Sequence, residues 1–219
     1  GMVEGRIAMN DVNGTVDIQG SIDIKDKRHP ADITATIRNL SPAALNITER
    51  WHDARFSTDI SAQTYGTGID DITGKLSLSG FLMAGNGSIY RMERLDITAE
   101  ENAMHMRSDF GSIDIDGKVR YTELAQSLTN IIGDKLPTLP DLPQMKGTSG
   151  NNFSLRADIT DTRLLDAVFG VPLEIQSPVS ISADMDDSDK SINIRSRAGR
   201  FLYDGRMFKD FSLDISTAG

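Results

Sequence analysis

Apolar and polar residues alternate with a period of two along almost the whole chain, and this feature limits the fold more than any other. Val16, Ile18, Ile22 and Ile24 alternate with Asp17, Gln19 and Asp23, and Ile33, Ala35 and Ile37 alternate with Thr34 and Thr36. The pattern returns at Phe56, Thr58, Ile60 and Ala62, at Leu76 and Leu78, and at Leu95, Ile97 and Ala99. It continues through Met104, Met106, Ile113, Ile115 and Val119 to Phe153, Leu155, Ala157 and Ile159. Val179, Ile181, Ala183 and Met185 follow, then Ile192 and Ile194, then Phe211, Leu213 and Ile215. A period of two belongs to an extended strand, whose successive side chains leave opposite faces. Each strand therefore buries one face only, as antiparallel sheets do. Asn13-Gly14, Gly66-Thr67-Gly68, Gly85-Asn86-Gly87, Asp186 to Asp189 and Asp204-Gly205 punctuate the runs. Connections this short favour hairpins. The expected fold is mainly β and antiparallel.

Helical patterns are few. Leu124, Leu128, Ile131 and Ile132 form one stripe over 122–132, with Gly133 as a stop. Residues 162–169 repeat the design, with Asp161 or Thr162 as cap and Gly170 beyond. Ser41-Pro42-Ala43-Ala44-Leu45 predicts a third short helix near 41–50. The segment Lys135 to Pro143 carries three prolines and reads as an extended connector, followed by Gly147-Thr148-Ser149-Gly150. This divides the chain into a first β-rich module over 1–134, a connector over 135–150, and a second, incomplete β module over 151–219. A weak internal repeat, strand then helix then strands, relates Ile33–Ala62 to Phe153–Met185 and points to an elongated stack.

The totals exclude several functions. A net charge of -9 repels phosphate backbones and anionic lipid surfaces, so nucleic acid is not an expected partner. It does not oppose the holding of lipid tails in an internal groove. Cysteine is absent, which rules out disulfides and thiolate metal sites. No apolar run is long enough for a transmembrane helix, and no signal peptide is visible. The opening Gly1-Met2 and the mid-strand ends read as a piece excised from a longer protein.

The residues that carry chemistry elsewhere are scattered here. His29, His52 and His105 each stand alone, and His105 between Met104 and Met106 belongs on the polar face of a strand. Asp184, Asp186, Asp187 and Asp189 lack the glycine and glutamate of a calcium loop and read as an acidic hairpin turn. There is no phosphate-binding glycine loop, no nucleophile elbow and no zinc-protease helix. Asn46-Ile47-Thr48 and Asn152-Phe153-Ser154 match the glycosylation sequon, which recurs by chance. Trp51 reads as a plug at a corner, with a sugar platform as its rival. Nine methionines suit either an ordinary core or a groove for irregular apolar partners. No constellation supports an enzyme, and no cofactor or metal is expected.

Several diffuse motifs carry a resemblance. They are Arg38-Asn39-Leu40-Ser41-Pro42, Arg50-Trp51-His52-Asp53-Ala54-Arg55-Phe56, and Ser108-Asp109-Phe110-Gly111 with Asp116-Gly117. Tyr121-Thr122-Glu123-Leu124, Leu136-Pro137-Thr138-Leu139-Pro140 and Phe201-Leu202-Tyr203-Asp204-Gly205-Arg206 complete them. Over nearly its whole length the chain resembles the TamB-like translocation and assembly family of the AsmA-like superfamily, most of all the version from Bacteroidetes. The resemblance implies an internal fragment of a periplasmic, cell-envelope protein anchored in the inner membrane. It implies a curved, taco-like antiparallel β-sheet with two or three short helices and an apolar lining that conducts phospholipid between membranes. It further implies a part in outer-membrane biogenesis through a barrel partner.

The alternation agrees with such a groove. Acyl chains held on a continuous apolar face gain about 0.8 kcal/mol per buried methylene without any charged pocket. The lining expected from the pattern is Ile18, Ile22, Ile37, Ile60, Leu78, Ile97, Met106, Ile115, Leu155, Ile181, Ile194 and Leu213. In a closed sandwich the same residues are plain core. The rival readings are a structural or adhesive scaffold and a carbohydrate-binding β-sandwich using Trp51.

Overall fold

The computed structural model of the chain describes residues 1–49, 51–85, 87–124, 127 and 150–217. The first eight strands among them are β1 (Met2–Asp11), β2 (Gly14–Asp23), β3 (Ala31–Leu40), β4 (Arg55–Tyr65), β5 (Thr73–Gly85), β6 (Ser88–Glu100), β7 (Ala103–Ser108) and β8 (Gly111–Lys118). After a 3-10 turn at Tyr121–Glu123 come β9 (Asn152–Ile159), helix α1 (Arg163–Phe169), β10 (Leu173–Ile175), β11 (Val179–Asp186), β12 (Ser191–Tyr203) and β13 (Arg206–Ser216).

All thirteen strands form one open antiparallel sheet. Its order follows the chain from β1 to β9, then β11, β12 and β13, with β10 beside the far end of β12. The edges are β1 and β13. This meander follows from the turns. Asp11 pairs with Gly14, Ser108 with Gly111 and Tyr203 with Arg206, so each hairpin closes over two residues. At the last of these, Asp204 (φ 50) and Gly205 (φ 73) both adopt left-handed backbone, the geometry that matches a twisted hairpin. No strand makes a substantial contact with any but its ladder neighbours, and α1 rests on β10 and β6. No second sheet covers the first among the described residues.

Residues 41–50 depart from expectation. Ser41 does begin a turn, with the Leu45 N–H donating to the Ser41 carbonyl at 3.3 Å. Asn46 then takes φ 57, and this left-handed residue ends the turn before a helix can propagate. Residues 42–47 are turns and a bend, and no helix forms among the described residues 41–49. The helix expected near 162–169 is α1. Thr162 occupies its cap position, but the Thr162 hydroxyl donates to the Leu173 carbonyl at 2.5 Å, and Asp161 accepts the Arg163 N–H instead at 2.9 Å. Most of 122–132 and the proline segment lie outside the described residues. The strands flanking that segment, β8 and β9, are hydrogen-bonded neighbours, so a single sheet runs through both expected modules.

Three irregularities cross one end of the sheet. Asn39 (φ 56), Gly80 (φ 59) and Asp210 (φ 52) each carry left-handed backbone inside a strand. The register slips between Ile37 and Leu40 and between Ser57 and Asp59. Such bulges bend a strand and add local twist. They also reverse the alternation. In β5 the apolar side passes from Leu76 and Leu78 to Phe81 and Met83, and in β6 from Ile97 and Leu95 to Met92 and Tyr90.

Candidate functional site: an open apolar face

The ladder registers place the apolar residues in rows that cross the whole sheet. One row reads Ile7, Ile18, Ala35, Ile60, Leu78, Leu95, Ser108, Gly111, Ile159, Val179, Ala198, Phe211. A second reads Gly5, Gly20, Ile33, Ala62, Leu76, Ile97, Met106, Ile113, Ala157, Ile181, Ser196, Leu213. A third runs from Val3 through Ile22, Ala99, Met104, Ile115, Leu155 and Ile194 to Ile215. At about 4.8 Å between strands, each row is roughly 50 Å long, and neighbouring rows lie about 7 Å apart.

All twelve expected lining residues fall on this face. Ile18, Ile60 and Leu78 belong to the first row. Ile97, Met106, Ile181 and Leu213 belong to the second, and Ile22, Ile115, Leu155 and Ile194 to the third. Ile37 lies one step beyond the first row, between Val16 and Thr58. Of the twelve, Ile115 is buried and Ile22 exposed, and the rest are half-buried. A closed core would bury nearly all of them.

Among the described residues the large buried side chains lie at the two ends of the strands, while the small Ala35, Ala157, Ser196 and Ala198 are buried within the rows. At one end Ile115, Phe153, Met185 and Ile192 form a buried cluster, with Val119 and Leu124 packed on it. Close by, Tyr121 donates its hydroxyl to the Met104 sulfur at 3.6 Å. Burial, then the Asp70 charge, raises the Tyr121 pKa. At the other end Trp51 meets Phe56 edge-on at 5.2 Å, and Phe56 meets Phe81 at 6.2 Å. This packing fits a corner plug. Met83 and Met92 are buried beside it. A cavity of about 590 Å³ lies between the start of β6, the β7–β8 turn and the start of α1, with Tyr90, Met92, Phe110 and Leu164 among its lining. Among the described residues the larger side chains between the two ends are half-buried or exposed, most of all over β1 to β3, where Val3, Ile7, Ile22 and Ile33 are exposed. The chain exposes 14028 Å², against about 9,900 Å² for a compact monomer of its mass.

The opposite face is mostly polar, with Met2, Ala8 and Ala103 among its few apolar residues, and several of its charges are paired. Arg6 grips Asp17 with two hydrogen bonds of 2.9 and 2.6 Å, and Arg38 grips Asp59 at 2.8 and 2.7 Å. Arg94 pairs with Asp96 and Arg107 with Asp114, the latter at 2.6 Å. His105 lies on this face, with Nδ1 2.7 Å from Asp114 Oδ1. Hydrogen bonds from Arg6 and Arg38 hold the Asp17 and Asp59 carboxyls below the usual range. Those from Ser77 and then Arg94 do the same for Asp96, and those from Arg107 and then His105 for Asp114.

Two features escape sequence reasoning. The bulge at Gly80 brings Phe81, Met83 and Met92 onto the apolar face, and its one sequence signal is a glycine inside a strand. Asp187, grouped by sequence with an exposed acidic turn, is buried. It accepts hydrogen bonds from the Ser127 hydroxyl at 2.9 Å and the Asn151 N–H at 3.0 Å, while Asp186 carries the turn itself. Among the described residues no group of three acidic or histidine side chains is placed to hold a metal, and no helix is long and apolar enough to cross a membrane. Comparison with known proteins found no family model, no curated protein and no solved structure that matches the chain.

Proposed function

We propose that the chain is a segment of a TamB-like, envelope-spanning periplasmic protein whose apolar face carries or shields phospholipid acyl chains between membranes, in support of outer-membrane assembly. The observation that carries this reading is an apolar face continuous across twelve ladder-linked strands and left half-exposed along its middle. A face of this kind offers many similar weak contacts and no directional anchor, so a bound chain can slide along it. The polar face, with several of its charges paired, keeps the other side in water. A carbohydrate-binding sandwich has less support, because the Trp51 ring is turned edge-on to Phe56. A scaffold with a dry core has less support, because among the described residues no second layer covers the rows.

The test is photo-crosslinking from Ile97 and from Thr98, which project to opposite faces of β6. Each position receives a benzophenone amino acid, and the chain is illuminated with phospholipid vesicles and then within its parent protein in cells. Lipid adducts at Ile97 and none at Thr98 support the reading. Equal labelling at both indicates nonspecific membrane contact. No adduct at Ile97, with another position in the parent labelled, makes this segment a scaffold.

A further inference from the structure

The polar face carries a cluster of arginines that its ion pairs do not absorb. Elsewhere on that face an arginine meets an aspartate across the ladder, as Arg6 meets Asp17, Arg38 meets Asp59 and Arg107 meets Asp114. Over β9, β11 and β12 the pattern changes. Ser182 of β11 stands opposite Arg156 on one side and Arg195 on the other, and Arg197 follows two residues along β12, opposite Ser180. These positions alternate with Ala157 and Ile181 of the apolar rows, so they lie on the polar face. With strands about 4.8 Å apart, the Cα atoms of Arg156 and Arg195 are separated by about 10 Å, and those of Arg195 and Arg197 by about 7 Å. The three arginines, Asp158, Ser180 and Ser182 line one shallow groove of about 360 Å³.

The neighbouring carboxylates are committed elsewhere. Asp114, directly opposite Arg156 on β8, already accepts a hydrogen bond from Arg107 at 2.6 Å and lies 2.7 Å from His105 Nδ1. Asp184 accepts the Ser154 hydroxyl at 2.6 Å, and Asp158 accepts the Ser180 hydroxyl at 2.5 Å. Asp214 is 3.6 Å from Arg195, a loose and exposed pair. Among the described residues Arg156 and Arg197 make no hydrogen bond or ion pair, and the half-buried Ser182 makes none through its hydroxyl. The groove thus sets three guanidinium groups against the single carboxylate of Asp158. Guanidinium groups donate and never accept, and like charges gathered at this spacing are unfavourable without an anion between them.

We infer that this groove binds a phosphate group, held between Arg156 and Arg195, with Arg197 as a third donor and the Ser182 hydroxyl beneath it. The planar fork of arginine matches phosphate oxygens two at a time, and a tetrahedral dianion offers acceptors to several forks at once, which a two-oxygen carboxylate does not. The phosphate belongs either to a soluble phosphate monoester or to a lipid head group at a membrane surface. The inference stands apart from the acyl-chain reading, because the sheet itself separates the groove from the apolar rows.

Inorganic phosphate is titrated into the chain at constant ionic strength, with binding read from the NMR shifts of the arginine Nε–H groups and the Ser182 amide. Saturable binding is expected. Arg156→Gln and Arg197→Gln each weaken it about tenfold, the loss of a charge-assisted contact, with an unchanged urea midpoint. Asp158→Asn tightens it by removing the one opposing charge, and Arg6→Gln, remote on β1, leaves it unchanged. Acetate binds more weakly than phosphate by about tenfold or more. Flotation with phosphatidylcholine vesicles, with and without phosphatidic acid, identifies the source. Extra flotation with phosphatidic acid that Arg156→Gln abolishes assigns the phosphate to a lipid head group. Equal flotation with both vesicles, beside saturable phosphate binding, assigns it to a soluble ester. Failure of phosphate to saturate overturns the inference. So does binding that survives both arginine substitutions, or acetate that binds as tightly as phosphate.

Discussion

Truncating Ile115 and Ile7 to alanine separates an open face from a closed core. Both residues lie on the apolar side of the sheet, in different rows. Ile115 is 7% exposed within the cluster of Phe153, Met185 and Ile192, whereas Ile7 is 66% exposed on the edge strand. The substitution removes three carbons, a transfer term of about 2.4 kcal/mol when they are fully buried. Ile115 carries nearly all of that term and leaves a cavity besides, so its loss costs about 3–4 kcal/mol. Ile7 retains roughly a third of the term, about 0.8 kcal/mol. For a chain of this size the melting temperature falls by about 6–16 °C in the first case and about 2–3 °C in the second. Urea unfolding followed by Trp51 fluorescence measures both, provided the denaturant slopes stay equal. Equal costs would mean that a second layer covers the rows evenly, and the open-face argument would fail.

Gly74 adopts φ 128, and a Cβ there would meet the Gln63 carbonyl oxygen at 2.0 Å. Gly74→Ala is expected to cost more than about 2 kcal/mol, while Gly80→Asn, at φ 59 in open space, changes the urea midpoint little. Asp187→Ala leaves the buried Ser127 and Asn151 donors short of an acceptor and is expected to cost about 2–4 kcal/mol in the same assay. Acid weakens the fold. The Asp17, Asp59, Asp96 and Asp114 carboxyls titrate lower when folded than the unfolded value of about 3.9. Their stabilisation is complete above that pH and is lost as pH falls through the folded values. The urea midpoint is therefore flat from neutral pH to about 5 and drops below about 4, less steeply in high salt. A midpoint that rises on acidification would contradict the ion pairs of the polar face.

The sheet was legible because its signal repeats. A residue such as Ile97 has Asp96 and Thr98 on either side, and only an extended strand sends these to one face and Ile97 to the other. The twelve lining positions follow from that parity alone. Parity fails where the backbone slips. Nothing in Ser79-Gly80-Phe81 states that Gly80 will sit in left-handed backbone and move Phe81 and Met83 to the apolar side. The turn at Ser41-Pro42 carries sound start signals, and Asn46, which ends it, is a residue tolerated both in helices and in left-handed backbone. Asp187 was illegible for another reason. Its partners Asn151 and Ser127 are 36 and 60 residues away, and no local pattern distinguishes a buried aspartate from its exposed neighbours in one acidic turn.

Face and edge are separate liabilities of this fold, and they call for separate partners. An exposed apolar face loses hydrophobic stabilisation that any chain of methylenes can restore, at no particular register and with no matched donor. An exposed edge presents backbone donors and acceptors at fixed spacing, which only another strand in phase can satisfy. Acyl chains on the face leave the edges untouched. Closing the sheet into a barrel would pair β1 with β13 within one chain and remove both liabilities together. Among the described residues β13 pairs with β12 alone and β1 with β2 alone, so the sheet is open. On the polar side Arg6 and Asp17, Arg38 and Asp59, and Arg107 and Asp114 tie neighbouring strands, and Arg94 and Asp96 pair along one strand, so the polar face presents paired charges to water while the apolar face is left to acyl chains.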